Sequence, residues 1–257
     1  MDGVNTGTAR ASSGGAVAAG GCALVVGAGG GLGAAFVRAL SGGRWAGGPV
    51  VALSRTGAPI AGAPGARAGR IDPTDEESVR AAVAALPAPP RLVIVTTGIL
   101  HGPGFVPERS LRQLDPATMA EIFRVNTIAP ALVARHVLPM MPRAGRSVFA
   151  ALSARVGSIG DNRLGGWMSY RASKAALNQL IRCFAIEMAR THPDALVVGL
   201  HPGTVDTAMS KPFQANVPPG KLFTPDFSAS ALLDVLEGIG PADSGFCFDW
   251  KGERIPE

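Results

Sequence analysis

The 257-residue sequence predicts an α/β fold, a doubly wound parallel β-sheet flanked by helices in a single domain. Short apolar runs at Cys22–Val26, Val50–Leu53 and Arg91–Val95 are of the kind that forms strands buried on both faces. Segments with helical character lie between them, and a glycine-rich turn links the first run to the first helix. Strand and helix in alternation imply a parallel sheet, whose ligands bind at the carboxyl ends of the strands. An α/β chain of this length is commonly one domain, and 47% apolar with 17% charged residues is a globular balance.

Residues 1–20 are rich in Gly, Ala, Ser and Thr without apolar periodicity, which predicts a flexible extension before a domain at 21–257. A targeting peptide is the sharper alternative, but Arg10 is the stretch's only basic residue. After the first strand comes Gly27-Ala-Gly-Gly-Gly31-Leu32-Gly33, and a helix follows over Ala34–Leu40. Glycines in such a turn admit positive φ and a close ligand, while the helix start offers free N–H groups to a phosphate. The second strand ends at Ser54-Arg55 with no acid to meet a ribose hydroxyl, and Arg55 stands where a 2′-phosphate would be read.

Residues 57–70 read as a Gly/Ala/Pro loop. Thr74 or Asp75 then caps a helix over Glu76–Leu86, with Asp72 placed either in the turn or toward an adenine. The strand at 91–95 runs into Thr96-Thr97-Gly98. A long helix over 117–138 carries Asn126, an amide that either bonds locally or faces a site.

The strand Ser147–Leu152 brings Ser153 to its carboxyl end. The helix from Tyr170 to about Arg190 carries Tyr170-x-x-x-Lys174, which puts the chain's only phenol and an ammonium on one helix face. A free phenol, with a pKa of ~10, does little acid–base chemistry at neutral pH unless a cation stabilises its phenolate. After the strand Leu196–Leu200 comes His201-Pro202-Gly203-Thr-Val205-Asp-Thr207-Ala-Met209. Residues 207–228 read as a mobile segment over a substrate, before a helix at Ala229–Glu237 and an edge strand in 245–250.

Composition narrows the function. The formal charge is +5, but the arginines are scattered without basic runs or interleaved aromatics, so no nucleic-acid partner is expected. Cys22, Cys183 and Cys247 are too far apart for a zinc ribbon or disulfide framework, and no metal site is expected. No apolar run can span a bilayer and no secretory signal is evident, so a soluble cytoplasmic protein is expected.

Taken together, Gly27-x-x-x-Gly31-x-Gly33, Asp72, Thr97-Gly98, Asn126, Ser153, Tyr170-x-x-x-Lys174 and Pro202-Gly203-x-Val205-x-Thr207 resemble the short-chain dehydrogenase/reductase family over about residues 22–250. The pieces Gly98-Ile-Leu-His101, Ser153-Ala-Arg-Val-Gly-Ser-Ile159 and Ser169-Tyr-Arg-Ala-Ser-Lys174 resemble its C-factor-like subgroup and the sniffer-type carbonyl reductases. The resemblance implies a Rossmann-type sheet, and Tyr170 as general acid/base with Lys174 lowering its pKa and binding the nicotinamide ribose. It further implies Ser153 on the substrate oxygen and Asn126 positioning a relay water. Gly27, Gly31, Leu32 and Gly33 would cradle a pyrophosphate and Asp72 would meet the adenine. Thr97, Gly98, Pro202, Gly203, Val205 and Thr207 would complete the cofactor site.

The expected cofactor is NADP(H) over NAD(H), the substrate a small carbonyl or alcohol, and the assembly a homodimer or homotetramer. The sequence departs from the family in Val95-Thr-Thr-Gly98, in a glycine loop without a basic residue, and in a 17-residue serine-to-tyrosine separation. That separation implies an insertion around Asp161–Gly166 and leaves Ser158 as a second candidate for the serine. Two other functions fit the sequence less well. A signalling or sensor protein with little turnover would not require Asn126, Ser153, Tyr170 and Lys174 together, and a methyltransferase would leave Tyr170 and Lys174 without a role.

Overall fold

The computed structural model describes residues 20–257; the extension expected over 1–20 lies, Gly20 apart, outside them. Its strands are β1 (Cys22–Val26), β2 (Val50–Ser54), β3 (Arg67–Arg70), β4 (Pro90–Val95), β5 (Ser147–Leu152), β6 (Ala195–His201), β7 (Thr204–Val205), β8 (Leu222–Phe223) and β9 (Cys247–Asp249). The helices are α1 (Gly31–Ala39), α2 (Glu76–Ala84), α3 (Pro116–Phe123), α4 (Ala129–Val137), α5 (Met168–Met188) and α6 (Pro225–Gly238). Seven strands form one sheet in the order β3-β2-β1-β4-β5-β6-β9, and each pairing is parallel. Strand order reverses between β1 and β4, which opens a crevice at their carboxyl ends.

The period-two alternation of the strands sorts the core into two layers. Ala23, Val25, Ile94, Val148 and Ala150 pack on α1 and α6 through Phe36, Leu232 and Leu236. Leu24, Val26, Val93, Val95, Phe149 and Ala151 pack on α2, α4 and α5 through Val79, Val133, Leu177 and Ile181. Both faces are covered, so the strands read as unbroken apolar runs. No helix among the described residues is long and apolar enough to cross a membrane.

Four elements differ from the expectation. The loop over 57–70 ends in β3, an exposed edge strand of sequence Arg-Ala-Gly-Arg whose lack of apolar residues hid it. The helix expected over 117–138 is α3 and α4 joined by a π-helical turn at Arg124–Ile128. Pro130 has no N–H to give the carbonyl of Asn126, and Ala129 N–H reaches back five residues to Arg124 instead, which widens the turn. Helix α6 begins at Pro225, behind a Thr224 hydroxyl that accepts from Phe227 N–H at 3.2 Å, so the segment read as mobile is shorter than 207–228. Within it lie a 3₁₀ stretch at Lys211–Asn216 and β8, which pairs with β7 just ahead of the segment. Of the two proposed caps for α2, Asp75 is the one used, accepting from Glu77 N–H at 3.1 Å.

The edge strand β9 joins β6 closely: a Cβ at Gly199 would lie 2.2 Å from Cys247 Sγ. Gly199→Ala is therefore expected to lower stability by ~2 kcal/mol, and adding Cys247→Ala should restore most of the loss. Urea denaturation of the two single variants and the double variant tests the contact.

Candidate active site

The turn after β1 is shaped by contacts only glycine tolerates. Gly27 has φ +89°, and a Cβ on Gly33 would meet Gly27 O at 2.3 Å. The α1 N-cap, Gly30, gives no side-chain cap, so the first-turn N–H groups of Gly31, Leu32 and Gly33 face the crevice. A Cβ on Gly31 would lie 3.0 Å from Thr207 Cγ2, which places Thr207 across the turn.

At the end of β4 the Thr96 hydroxyl donates to Val26 O and Gly27 O at 3.0 and 3.1 Å, fastening β4 to the turn. The Thr97 hydroxyl is buried without a partner. At the end of β2, Ser54 Oγ accepts from Gly57 N–H at 3.0 Å and lies 3.3 Å from Thr56 Oγ1, so Arg55 projects from an ordered turn. The Asp72 carboxyl accepts from Thr74 N–H and Oγ1 at 3.0 and 2.7 Å. Those bonds, then the fields of Arg124 and Arg55, hold it below the usual carboxylate range. A dinucleotide fits these residues: a cradle that a Cβ would fill, open helix-start amides, an orphaned hydroxyl and a basic side chain at the far end.

Asn126 is fully buried on the widened turn. Its Oδ1 accepts from Ile99 N–H at 2.7 Å, and its Nδ2 donates to Ile99 O at 2.9 Å and Ser173 Oγ at 3.1 Å. Ser173 Oγ donates in turn to Tyr170 O at 2.8 Å. Gly98 lies beside this group, since a Cβ there would be 3.4 Å from Asn126 Oδ1, 3.5 Å from Lys174 Nζ and 3.7 Å from Met209 Cε. Lys174 Nζ donates to Leu152 O at 2.8 Å and sits 5.9 Å from the centre of the Tyr170 ring. Asn126, Gly98, Tyr170 and Lys174 are thus brought together. Pro202 and Gly203 follow β6, where Pro202 O accepts from Ser228 Oγ at 2.8 Å and Gly203 takes φ +75° against Phe223. Val205 is buried on β7.

Two sequence expectations change. Ser153 continues the strand alternation toward α5, and its Oγ donates to Asn178 Oδ1 at 2.5 Å, where Cys247 Sγ also donates at 3.0 Å. Its hydroxyl is spent there. The next residue, Ala154, is still extended (φ −154°, ψ 147°), turns the other way, and packs with Leu100 against Tyr170. Ser158 is buried beyond the turn, where its Oγ accepts from Asp161 N–H at 3.0 Å. The second change concerns acidity. Burial pushes the Tyr170 phenol up to about 12 and pulls Lys174 down to about 8, so in this structure desolvation outweighs any lowering of the phenol by the lysine.

The insertion before α5 also does more than lengthen a loop. Gly165, Gly166 and Trp167 all have positive φ, Trp167 being the one non-glycine with this conformation among the described residues. Arg171 Nε donates to Gly166 O at 2.9 Å, and Trp167 N–H donates to Glu108 O at 2.6 Å. The buried Glu108 carboxylate takes bonds from Ser169 Oγ and, at 3.3 Å, from Ser169 N–H, capping α5 from another segment. Trp167 thereby meets Tyr170 (ring centres 6.3 Å apart) and Phe213 (5.3 Å). His101 Nε2 lies 3.1 Å from Met209 O, tying the loop after β4 to the segment after β7. Beyond Trp167 and Phe213 a cleft of about 790 Å³ opens, lined also by His101, Arg109 and Gln113. Neither Glu108 nor Ala154 was singled out by the sequence, since their partners lie 61 and 16 positions away and no motif links them.

A glycine turn at a parallel sheet's switch point, with a buried Tyr–Lys pair beside it, defines an oxidoreductase site for a nicotinamide cofactor. The short chain dehydrogenase family model matches residues 21–218, and the chain belongs to that family. It is 36% identical to C-signal of Myxococcus xanthus over 148 residues, 57% of this chain and 83% of that one. It is 30% identical over 177 residues to 1-hydroxy-2-glutathionyl-2-methyl-3-butene dehydrogenase of Rhodococcus sp. strain AD45, covering 68% and 73% of the two chains. Among solved structures, the NADPH-bound carbonyl reductase from chicken fatty liver superposes with a TM-score of 0.79 at 27% identity, over 96% of this chain and 97% of that one.

Lys174 supplies a pH test. Its native pKa of about 8 lies below its ordinary 10.5, so between these values the unfolded chain holds a proton the native chain has released. Native stability therefore rises with pH through that window. Relative to Lys174→Met, the wild type should gain ~2 kcal/mol between about pH 7.5 and about pH 9.5, read by urea denaturation at each pH.

Proposed function

We propose that the protein is an NADP(H)-preferring carbonyl reductase in which Tyr170 is the general acid. The observation that carries this reading is the buried Tyr170–Lys174 pair set beside Gly98 and Asn126, at the mouth of the glycine turn. A reduced nicotinamide cofactor, when bound, would supply a hydride to a carbonyl carbon. Gly27, Gly31, Leu32 and Gly33 hold its pyrophosphate, and Arg55 with the Ser54–Thr56 turn takes a 2′-phosphate. Asp72 lies on the adenine side, while Thr97, Gly98, Pro202, Gly203, Val205 and Thr207 line the nicotinamide end.

Burial keeps the Tyr170 phenol protonated at neutral pH, so it has a proton to give to a carbonyl oxygen. The proton passes from Tyr170 Oη to the carbonyl oxygen as charge develops there. Lys174, with a native pKa of about 8, is still largely charged at neutral pH and stabilises the phenolate left behind. Asn126 holds the loop at Ile99 in register with α5, the footing for a water chain that returns the proton. NADPH as a ligand of the chicken carbonyl reductase supports the cofactor assignment.

A cofactor-binding signalling protein with little turnover is the second reading, favoured by Ala154 standing where a hydroxyl would steady the substrate oxygen. NADPH oxidation with a panel of aldehydes and ketones separates the two; tight NADPH binding without turnover of any of them would establish the second. Tyr170→Phe should lower kcat by ~10³-fold while leaving the NADPH dissociation constant within about twofold. Retention of most activity would remove Tyr170 from the mechanism. Arg55→Ala should weaken NADPH binding at least about tenfold and NADH binding little, both by fluorescence titration.

A further inference from the structure

We infer that Asn178 is a positioning residue for Lys174, acting through the Leu152–Ser153 peptide; what this does to turnover rests on the carbonyl-reductase reading. Lys174 and Asn178 lie four residues apart on α5 and so share a face of the helix. That face meets the carboxyl end of β5, where the pairing with β4 stops at Val95 and Ala151. Leu152 is one residue beyond, and its carbonyl accepts from Lys174 Nζ at 2.8 Å, the one hydrogen bond the ammonium makes among the described residues. The β4 ladder does not reach that carbonyl, so its aim is set from the Ser153 side of the same planar peptide unit. Ser153 N–H donates to Leu200 O on β6 at 2.8 Å, and Ser153 Oγ donates to Asn178 Oδ1 at 2.5 Å. Cys247 Sγ on β9 donates to the same amide oxygen at 3.0 Å. Asn178 thereby gathers the ends of β5 and β9 onto α5, one turn along from the lysine.

The consequence is electrostatic. A hydrogen bond to the charged form of a buried group strengthens its hold on the proton. The groups facing Lys174 are Tyr170 on its own helix, Cys247 on β9, Asn126 and Gly98 across from it, and Gly157 against its stem. Arg155, of the same turn as Gly157, is bound to Asp161 at 2.7 Å. Burial holds the phenol at about 12 and the thiol at about 11, so both stay neutral while Lys174 titrates near 8. The Leu152 carbonyl is then the acceptor that decides how firmly the lysine keeps its proton, and Ser153 with Asn178 decides where that carbonyl points.

The chain has four lysines, and Lys211, Lys221 and Lys251 are exposed, so the isotope-labelled ε-methylene of Lys174 gives a separable NMR titration that needs no turnover. In the full chain without added nucleotide the wild-type midpoint should lie at about 8. Asn178→Leu keeps the volume and removes the acceptor, while Ser153→Ala cuts the same tie from its other end; each should lower the midpoint by about one pH unit. Asn178→Asp keeps both hydrogen bonds and adds a negative charge one helical turn away, which should raise it by about one pH unit. Cys247→Ala removes the other donor without touching the Leu152–Ser153 peptide and should leave the midpoint within about 0.3 pH unit. A midpoint unmoved in a folded Asn178→Leu, a fall in Asn178→Asp, or an equal fall in Cys247→Ala overturns the inference. Should Asn178→Leu not fold, Ser153→Ala decides in its place. The rate of NADPH-dependent aldehyde reduction should decline as Lys174 loses its charge, so its alkaline limb should follow the midpoint down in Asn178→Leu and up in Asn178→Asp. A limb that stays while the midpoint moves overturns the part given to charged Lys174 in the carbonyl-reductase reading and leaves the positioning role standing.

Discussion

The site depends on one side chain that makes no chemistry of its own necessity. The Asn126 amide satisfies both backbone groups of Ile99 and reaches Ser173 on α5, so a single residue fixes the loop after β4 to the helix that carries Tyr170 and Lys174. It can do so because the helix is widened where Pro130 withholds an N–H, which turns the amide inward. Leaving the Ile99 groups unpaired in a buried place would cost ~1–3 kcal/mol each, so the register of the two segments is strongly held. Gly98, one residue before Ile99, is carried into place against Lys174 by the same bonds.

Burial does the rest of the electrostatic work. Taking Tyr170 and Lys174 out of water favours the uncharged form of each, which raises the first and lowers the second. At neutral pH the pair is thus a neutral phenol beside a lysine that is still largely protonated and is held by the Leu152 carbonyl. Desolvation of one shared volume keeps the proton on the Tyr170 oxygen.

Much of this was legible in the sequence, and the gaps have physical causes. The apolar strands announced themselves because a parallel sheet covered on both faces needs unbroken apolar runs, and the glycine turn and Tyr170-x-x-x-Lys174 are local patterns. β3 was hidden because an edge strand is permitted to be Arg-Ala-Gly-Arg. The break between α3 and α4 was written in Pro130, whose effect appears four residues earlier than the proline itself. Standing at a strand end says nothing of which way a side chain points, and the pleat here turns Ser153 to Asn178 and Ala154 toward Tyr170. Contacts such as Glu108 with Ser169 join distant segments and leave no periodic trace.

The insertion ahead of α5 is fastened at Asp161 by Ser158 and Arg155 and again from Gly165 onward, and is most open at Leu164. Arg171 and Glu108 hold the stretch from Gly165 to Ser169, while Leu164 is 91% exposed. Lengthening a loop of that kind costs only ~0.6 kcal/mol per doubling. The loop beside Trp167 is therefore decoupled from the fold that holds Tyr170 and Lys174. Residues can be added or removed around Arg163–Leu164 with the sheet, the glycine turn and the Tyr170–Lys174 pair left as they are.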